Sequence, residues 1–338
     1  MSSPEFVIVG QGLAGTTLAW PLLRRGRRVL VIDREDGSSA SRIAAGLITP
    51  VTGKRLAKSW RWDELFPAAA AFYRSVEAET GTRLFSQQPS LRLFADEAEH
   101  DEFHRREANI LRGLVRTVST INSDWFAAPF GGFEMPSAAR LEVSRYLDAS
   151  REYFRARGAY LRAEIDPREV IEADTVIFCR GFAADSDPWF GRIQFNAAKG
   201  EILTIRVPGL AEERVVHRGL WLVPLGDSLY RVGATHTWEP LNSFPTPEGR
   251  AEIESKLRLF LKPPYEVIDH NAAVRPVIDA GYPVLGRHPE SPRVVFFNGL
   301  GAKGSLLAPF FANQLAAHLC GEGEIDAAVN VRKYLCRV

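Results

Sequence analysis

Cysteine is scarce and odd in number. Cys179, Cys320 and Cys336 are the three thiols in 338 residues, and no metal-ligand spacing joins them. That excludes a disulfide scaffold, offers no zinc site, and fits a reducing compartment, so the cytoplasm is the expected location. An excess of one charge is also missing: 42 Lys and Arg against 41 Asp and Glu leave a formal net charge of +1. Nucleic acid therefore has no electrostatic footprint here. Long apolar runs are absent too, none reaching the roughly 18 residues of a membrane span. The N-terminus passes from Met-Ser-Ser-Pro-Glu directly into Phe6-Val7-Ile8-Val9, without the basic and longer apolar regions of a secretory leader. No repeat or low-complexity linker interrupts the chain. What remains, 46% hydrophobic and 25% charged, is a globular composition. The length exceeds the roughly 250–300 residues at which one core stops growing, so two cores are expected.

The first apolar run, Phe6-Val7-Ile8-Val9, predicts a strand buried on both faces. Gly10-Gln11-Gly12-Leu13-Ala14-Gly15 follows with G-x-G-x-x-G spacing, and residues 16–25 carry apolar side chains at helical spacing up to Gly26. Arg28-Val29-Leu30-Val31-Ile32 predicts the next strand, ending in Asp33. Each part has a task in a dinucleotide fold. Gly10 makes the tight turn, Gly12 lets backbone approach a pyrophosphate, and Gly15 lets helix and strand close together. The helix N-terminus faces phosphate charge, and Asp33 accepts from ribose hydroxyls. NAD, NADP and FAD share the half that this fingerprint reads. Arg34 beside Asp33 is either a hint of a 2′-phosphate or a solvated charge.

Four further segments resemble one flavoprotein family. Ser38-Ser39-Ala40-Ser41-Arg42-Ile43-Ala44-Ala45-Gly46-Leu47 is similar to the small-residue stretch that runs along the pyrophosphate to the isoalloxazine in FAD oxidoreductases of the D-amino acid oxidase (DAO) family. Arg275-Pro276-Val277-Ile278-Asp279-Ala280-Gly281-Tyr282-Pro283-Val284-Leu285-Gly286 resembles the R-P-x(2,3)-D-x-x-P-x-[IL]-G signature of that family. Asn298-Gly299-Leu300-Gly301-Ala302-Lys303-Gly304-Ser305-Leu306-Leu307-Ala308-Pro309, before a helix over 310–319, is similar to its second glycine turn. Trp221-Leu222-Val223-Pro224 and Tyr230-Arg231-Val232-Gly233-Ala234-Thr235 resemble its substrate-side strands, with Lys199-Gly200-Glu201 upstream. Within the family the chain resembles the members that oxidise glycine and the oxidase domain that finishes a tRNA wobble uridine.

The resemblance implies an α/β fold: a Rossmann-like FAD-binding domain from residues 1–60, 136–190 and 276–338, interleaved with an α+β substrate domain on an antiparallel sheet from 61–135 and 191–275. It implies non-covalent FAD held by Gly10, Gly12, Leu13, Ala14, Gly15, Asp33 and Arg34, by Ala40, Ser41, Ala45, Gly46 and Leu47, by Ile165 and Gly181, and by Leu300, Gly301, Ala302, Lys303, Gly304, Ser305 and Leu306. It implies hydride transfer from a small amine or amino acid, imine hydrolysis, and reoxidation by oxygen or an electron acceptor. Substrate candidates are Arg275 for a carboxylate, Lys303, and Tyr230 and His236 on the sheet wall. Ala302 stands where glycine-oxidising members have a substrate-binding arginine, so a larger amine is as compatible as glycine. Competing readings are an oxidase acting on an aminomethyl group of tRNA, a flavin-binding protein without turnover, and an NAD(P) dehydrogenase.

Elsewhere, residues 55–80, 97–112, 141–157 and 248–261 predict helices. His100 and His104 lie one helical turn apart on a charged face with no third ligand apparent, so no metal is expected. Val176-Ile177-Phe178-Cys179 predicts a central strand, whose burial makes Cys179 an inert thiol.

Overall fold

Two large sheets organise the chain in the computed structural model, which describes residues 3–118, 120–168, 173–185, 187–278 and 281–336. The first has six strands in the order Tyr160–Arg162, Val29–Asp33, Phe6–Val9, Thr175–Phe178, Val294–Asn298 and Val284–Arg287. The first five are parallel, and Val284–Arg287 returns antiparallel at the edge. Parallel strands are covered on both faces, which is why Phe6–Val9 and Thr175–Phe178 read as unbroken apolar runs and are buried throughout. Phe6 and Ile8 enter a core with helices Leu13–Arg24, Trp62–Thr80, Val143–Arg155 and Gly304–Leu319. Val7 and Val9 point the other way, towards Phe190, Ile193 and Leu335. Its strands come from residues 6–33, 160–178 and 284–298.

The second sheet has eight strands in the order Glu266–Arg275, Ala198–Arg206, Leu229–Gly233, Trp221–Gly226, Val215–His217, Ser90–Leu93, Gly132–Met135 and Arg116–Thr117. Its strands come from residues 90–135 and 198–275. Period-two alternation divides its faces. Leu203, Ile205, Tyr230 and Val232 build a core with Ile253 and Leu257 of helix Pro247–Leu257. Gly200, Ile202 and Gly233, on the opposite face, look towards the first sheet.

Four local expectations change. Residues 55–61 are not helical: Val51–Thr52 pairs with Ala57–Lys58, and the helix begins at Trp62. Leu56, fully buried with a φ of 46°, is pinned in a core with Phe94 and Phe103, and this tertiary contact overrides helix propensity. The C-terminal helix starts at Gly304 instead of residue 310 and carries Pro309 inside it. Helices 97–112 and 248–261 stop early, at Glu107 and Leu257. His100 and His104 do meet, Nε2 to Nε2 at 3.1 Å, but they are exposed. No group of three or more potential metal ligands occurs among the described residues. No helix among them is long and apolar enough to cross a membrane.

Candidate active site

The two sheets enclose one cleft of about 1180 Å³. A single small-molecule pocket occupies roughly 300–1,000 Å³, so this one has room for a cofactor and a substrate together. Its floor begins at the first glycine turn. Gly10 has a φ of 107°, and a Cβ there would lie 2.5 Å from the Cys179 carbonyl oxygen. Gly15 does not reach the cleft. It lies beneath the turn, where a Cβ would stand 1.9 Å from the Gly10 carbonyl oxygen, so its part is close helix–strand contact. Gly12, Leu13 and Ala14 line the cleft directly. Gly12 caps helix Leu13–Arg24 without a side-chain hydrogen bond, and Leu13 N–H donates to Ser41 Oγ at 3.0 Å. Thr16 N–H closes the first turn onto the Gly12 carbonyl at 3.0 Å, and a helix N-terminus leaves the amides before it without intrahelical partners.

Asp33 accepts from the Gln11 amide at 2.7 Å and the Glu35 amide at 2.6 Å, one on each oxygen. The carboxylate is fixed at the cleft edge with lone pairs left for hydroxyl donors. Arg34 lines the same end but pairs with Asp36 at 2.8 Å and Glu164 at 3.5 Å. Ala40 and Ser41 continue the wall, followed by Ala45, Gly46 and Leu47; Ile165 and Gly181 lie along it as well. Ala45 and Leu47 pack with Val215, Trp221 and Val223, which joins this stretch to the second sheet. Arg42, given no role from sequence, binds Asp148 through Nη1 at 2.5 Å, while its Nη2 is buried without a partner among the described residues. An orphaned cationic donor beside an uncapped helix N-terminus is what a pyrophosphate would satisfy.

Residues Leu300 to Leu306 form the far part of the floor. Helix Gly304–Leu319 also lacks a side-chain cap, and a Cβ on Gly304 would lie 2.9 Å from Leu13 Cδ1. Two uncapped helix N-termini thus converge on one cleft, each with a positive dipole end.

At the substrate end, Arg275 lies over Gly200, where a Cβ would stand 2.0 Å from Nη2. Nη2 donates to the Thr235 carbonyl at 3.2 Å, and Nη1 is buried with no partner among the described residues. Burial pulls the guanidinium below its ordinary pKa. His236, at the exposed lip, is lowered by burial and then by Arg275. Lys303 reaches Thr52 Oγ1 at 3.3 Å and is lowered by burial. Tyr230 is a correction. It points away from the cleft into the second core, its hydroxyl donating to the Leu210 carbonyl at 2.9 Å, because alternation assigns the cleft face to Gly233. Asp279 and Ala280 of the arginine-proline motif lie outside the described residues. His217 and Thr52 line the cleft without a motif to announce them. Each is placed by strand register, which carries no local sequence signal.

Comparison with known proteins agrees with this geometry. Glycine oxidase of Bacillus licheniformis is 24% identical, over 94% of this chain and 93% of that protein. The bifunctional protein of tRNA 5-methylaminomethyl-2-thiouridine biosynthesis from Aromatoleum aromaticum is 24% identical over 98% of this chain, which spans 60% of it. The crystal structure of glycine oxidase from Geobacillus kaustophilus has the same fold, with a TM-score of 0.82 at 20% identity, covering 98% of this chain and 99% of that one. Residues 5–318 match the DAO family, described as FAD dependent oxidoreductase. The chain is a member of that FAD-dependent oxidoreductase family, and FAD is its cofactor.

Proposed function

We propose that the chain oxidises a small amine or amino acid carrying a carboxylate. The α-carbon gives up a hydride and the nitrogen a proton; water then hydrolyses the imine to an oxo product and releases the amine. FAD, when bound, supplies the hydride acceptor. Arg42 and the first turn of Leu13–Arg24 would hold its pyrophosphate, and Asp33 its ribose. The chain's own contribution to the substrate is orientation. The observation that carries the reading is Arg275 Nη1, buried in the cleft and unpartnered among the described residues. A planar fork with a free edge is suited to a carboxylate, and leaving that edge empty and desolvated is unfavourable. A carboxylate seated there fixes the α-carbon relative to the two helix N-termini. Those termini favour negative charge developing at the cofactor end.

Replacing Arg275 tests the assignment. Arg275→Leu is expected to retain FAD, to raise KM for a carboxylate-bearing amine at least about thirtyfold, and to leave KM for an amine without a carboxylate unchanged. Equal KM values for the carboxylate substrate in both proteins would exclude the role.

A further inference from the structure

We propose that Lys303, Thr52 and His217 form a second anion subsite in the cleft, so that the preferred substrate is an amine bearing two acidic groups. This rests on the reading of Arg275 as the first carboxylate site and names the class of substrate it takes.

Lys303 is a cation without a counterion. Its ammonium bonds a neutral hydroxyl, Thr52 Oγ1, at 3.3 Å, and among the described residues no carboxylate lies within ion-pair distance of it. Acids do line the cleft, yet they are engaged elsewhere. Glu99 is held by Arg92 and by the Ala95 amide, and Asp33 by two backbone amides. A desolvated ammonium with donors to spare is an incomplete site.

The neighbouring wall completes it. Arg92 Nη2 donates to the Gly53 carbonyl at 2.9 Å, next to Thr52, and Arg92 is the register partner of His217 across parallel strands. His217 lines the cleft, and its Nε2 is buried without a partner among the described residues. Burial, then the Arg92 charge, holds this imidazole down to about 3, so it meets a ligand neutral. An anion here meets an ammonium, a hydroxyl whose proton is free, and an imidazole. Arg275 is the last residue of strand Glu266–Arg275, with its Nη2 on the Thr235 carbonyl. The two cations share the cleft because the turn carrying Lys303 is tied to the residue after Arg275, Gly301 N–H donating to the Pro276 carbonyl at 3.3 Å.

The FAD-loaded protein titrated with acetate and propionate, and with malonate, succinate and glutarate, reads this through the flavin absorbance. At least one dicarboxylate is expected to bind tenfold or more tightly than the monocarboxylates. Lys303→Met should abolish that preference, Lys303→Arg should keep it, and Thr52→Val or His217→Phe should reduce it several-fold. Monocarboxylate binding with no dicarboxylate preference, or a preference that survives Lys303→Met, overturns the subsite alone. A loss of sulfite affinity at the flavin in Lys303→Met, with the preference intact, assigns the charge to the cofactor and also overturns it. Binding by neither series overturns the subsite and the Arg275 reading together. Should Lys303→Met fail to fold, Thr52→Val takes its place: a several-fold loss of the dicarboxylate preference supports the subsite, and an unchanged preference overturns it.

Discussion

Gly200 has no side chain because the Arg275 guanidinium fills the space where one would begin, 2.0 Å from a Cβ. Adding that methyl must move the guanidinium, since the strand backbone is held on both sides by its neighbours. Gly200→Ala is therefore expected to keep FAD and weaken carboxylate binding about tenfold or more in the flavin titration. His217 makes a different residue-scale prediction. Its unfolded imidazole takes a proton near 6.5 and the folded one only near 3. Between those values the unfolded state binds more protons, so stability is full above 6.5 and declines as pH falls towards 3. At pH 5 the loss is about 1–2 kcal/mol. Thermal unfolding between pH 7 and pH 5 should show it, with a flatter dependence in His217→Phe. Neither residue is legible as a site residue from sequence. Gly200 stands in a recognisable Lys199-Gly200-Glu201 segment, but what it makes room for depends on strand pairing, and the face taken by Tyr230 depends on alternation whose phase the sequence leaves open.

The helix Gly304–Leu319 shows how an element can depend on a partner far along the chain. Pro309 has no N–H for the Ser305 carbonyl four residues earlier, and read locally it marks a helix start near residue 310. Tyr73, buried in helix Trp62–Thr80, donates its hydroxyl to that same carbonyl at 2.9 Å. The replacement bond lets the helix begin at Gly304 and present its first turn to the cleft. Tyr73→Phe is expected to cost about 1–3 kcal/mol of stability in denaturant unfolding, and to weaken FAD binding with it. A full loss of FAD affinity without loss of stability would not fit. The strands are easier to read, since buried parallel strands are continuous apolar runs, and the G-x-G-x-x-G turn is compressed enough at Gly10 and Gly15 to demand glycine there. A comparable anchor holds the loop after Trp238: buried Lys199 binds Asn242 Oδ1 at 3.1 Å, and buried Glu201 accepts from Thr246 at 2.7 Å and 2.8 Å. Nothing near Asn242 or Thr246 in sequence signals those partners.

At the scale of the whole molecule, the near-zero net charge conceals a local imbalance. Charges on the outside are largely paired among the described residues, as Arg24, Arg155 and Arg258 show. Along the cleft, Arg275 and Lys303 have no carboxylate partner among the described residues, Arg42 keeps Nη2 free beside its pair with Asp148, and two helix N-termini add to the same sign. Composition sums over this arrangement and cannot show it; only the meeting of the two sheets does. That positive cleft suits an anionic cofactor and a carboxylate-bearing substrate in one chamber. The most direct measurement is anaerobic mixing of the purified, FAD-loaded chain with a panel of amino acids and aminodicarboxylates. The oxidised flavin absorbance should bleach with at least one of them, releasing an oxo acid and ammonia or amine in equal amount to the flavin reduced. A flavin that dithionite reduces but no member of the panel bleaches would contradict the account.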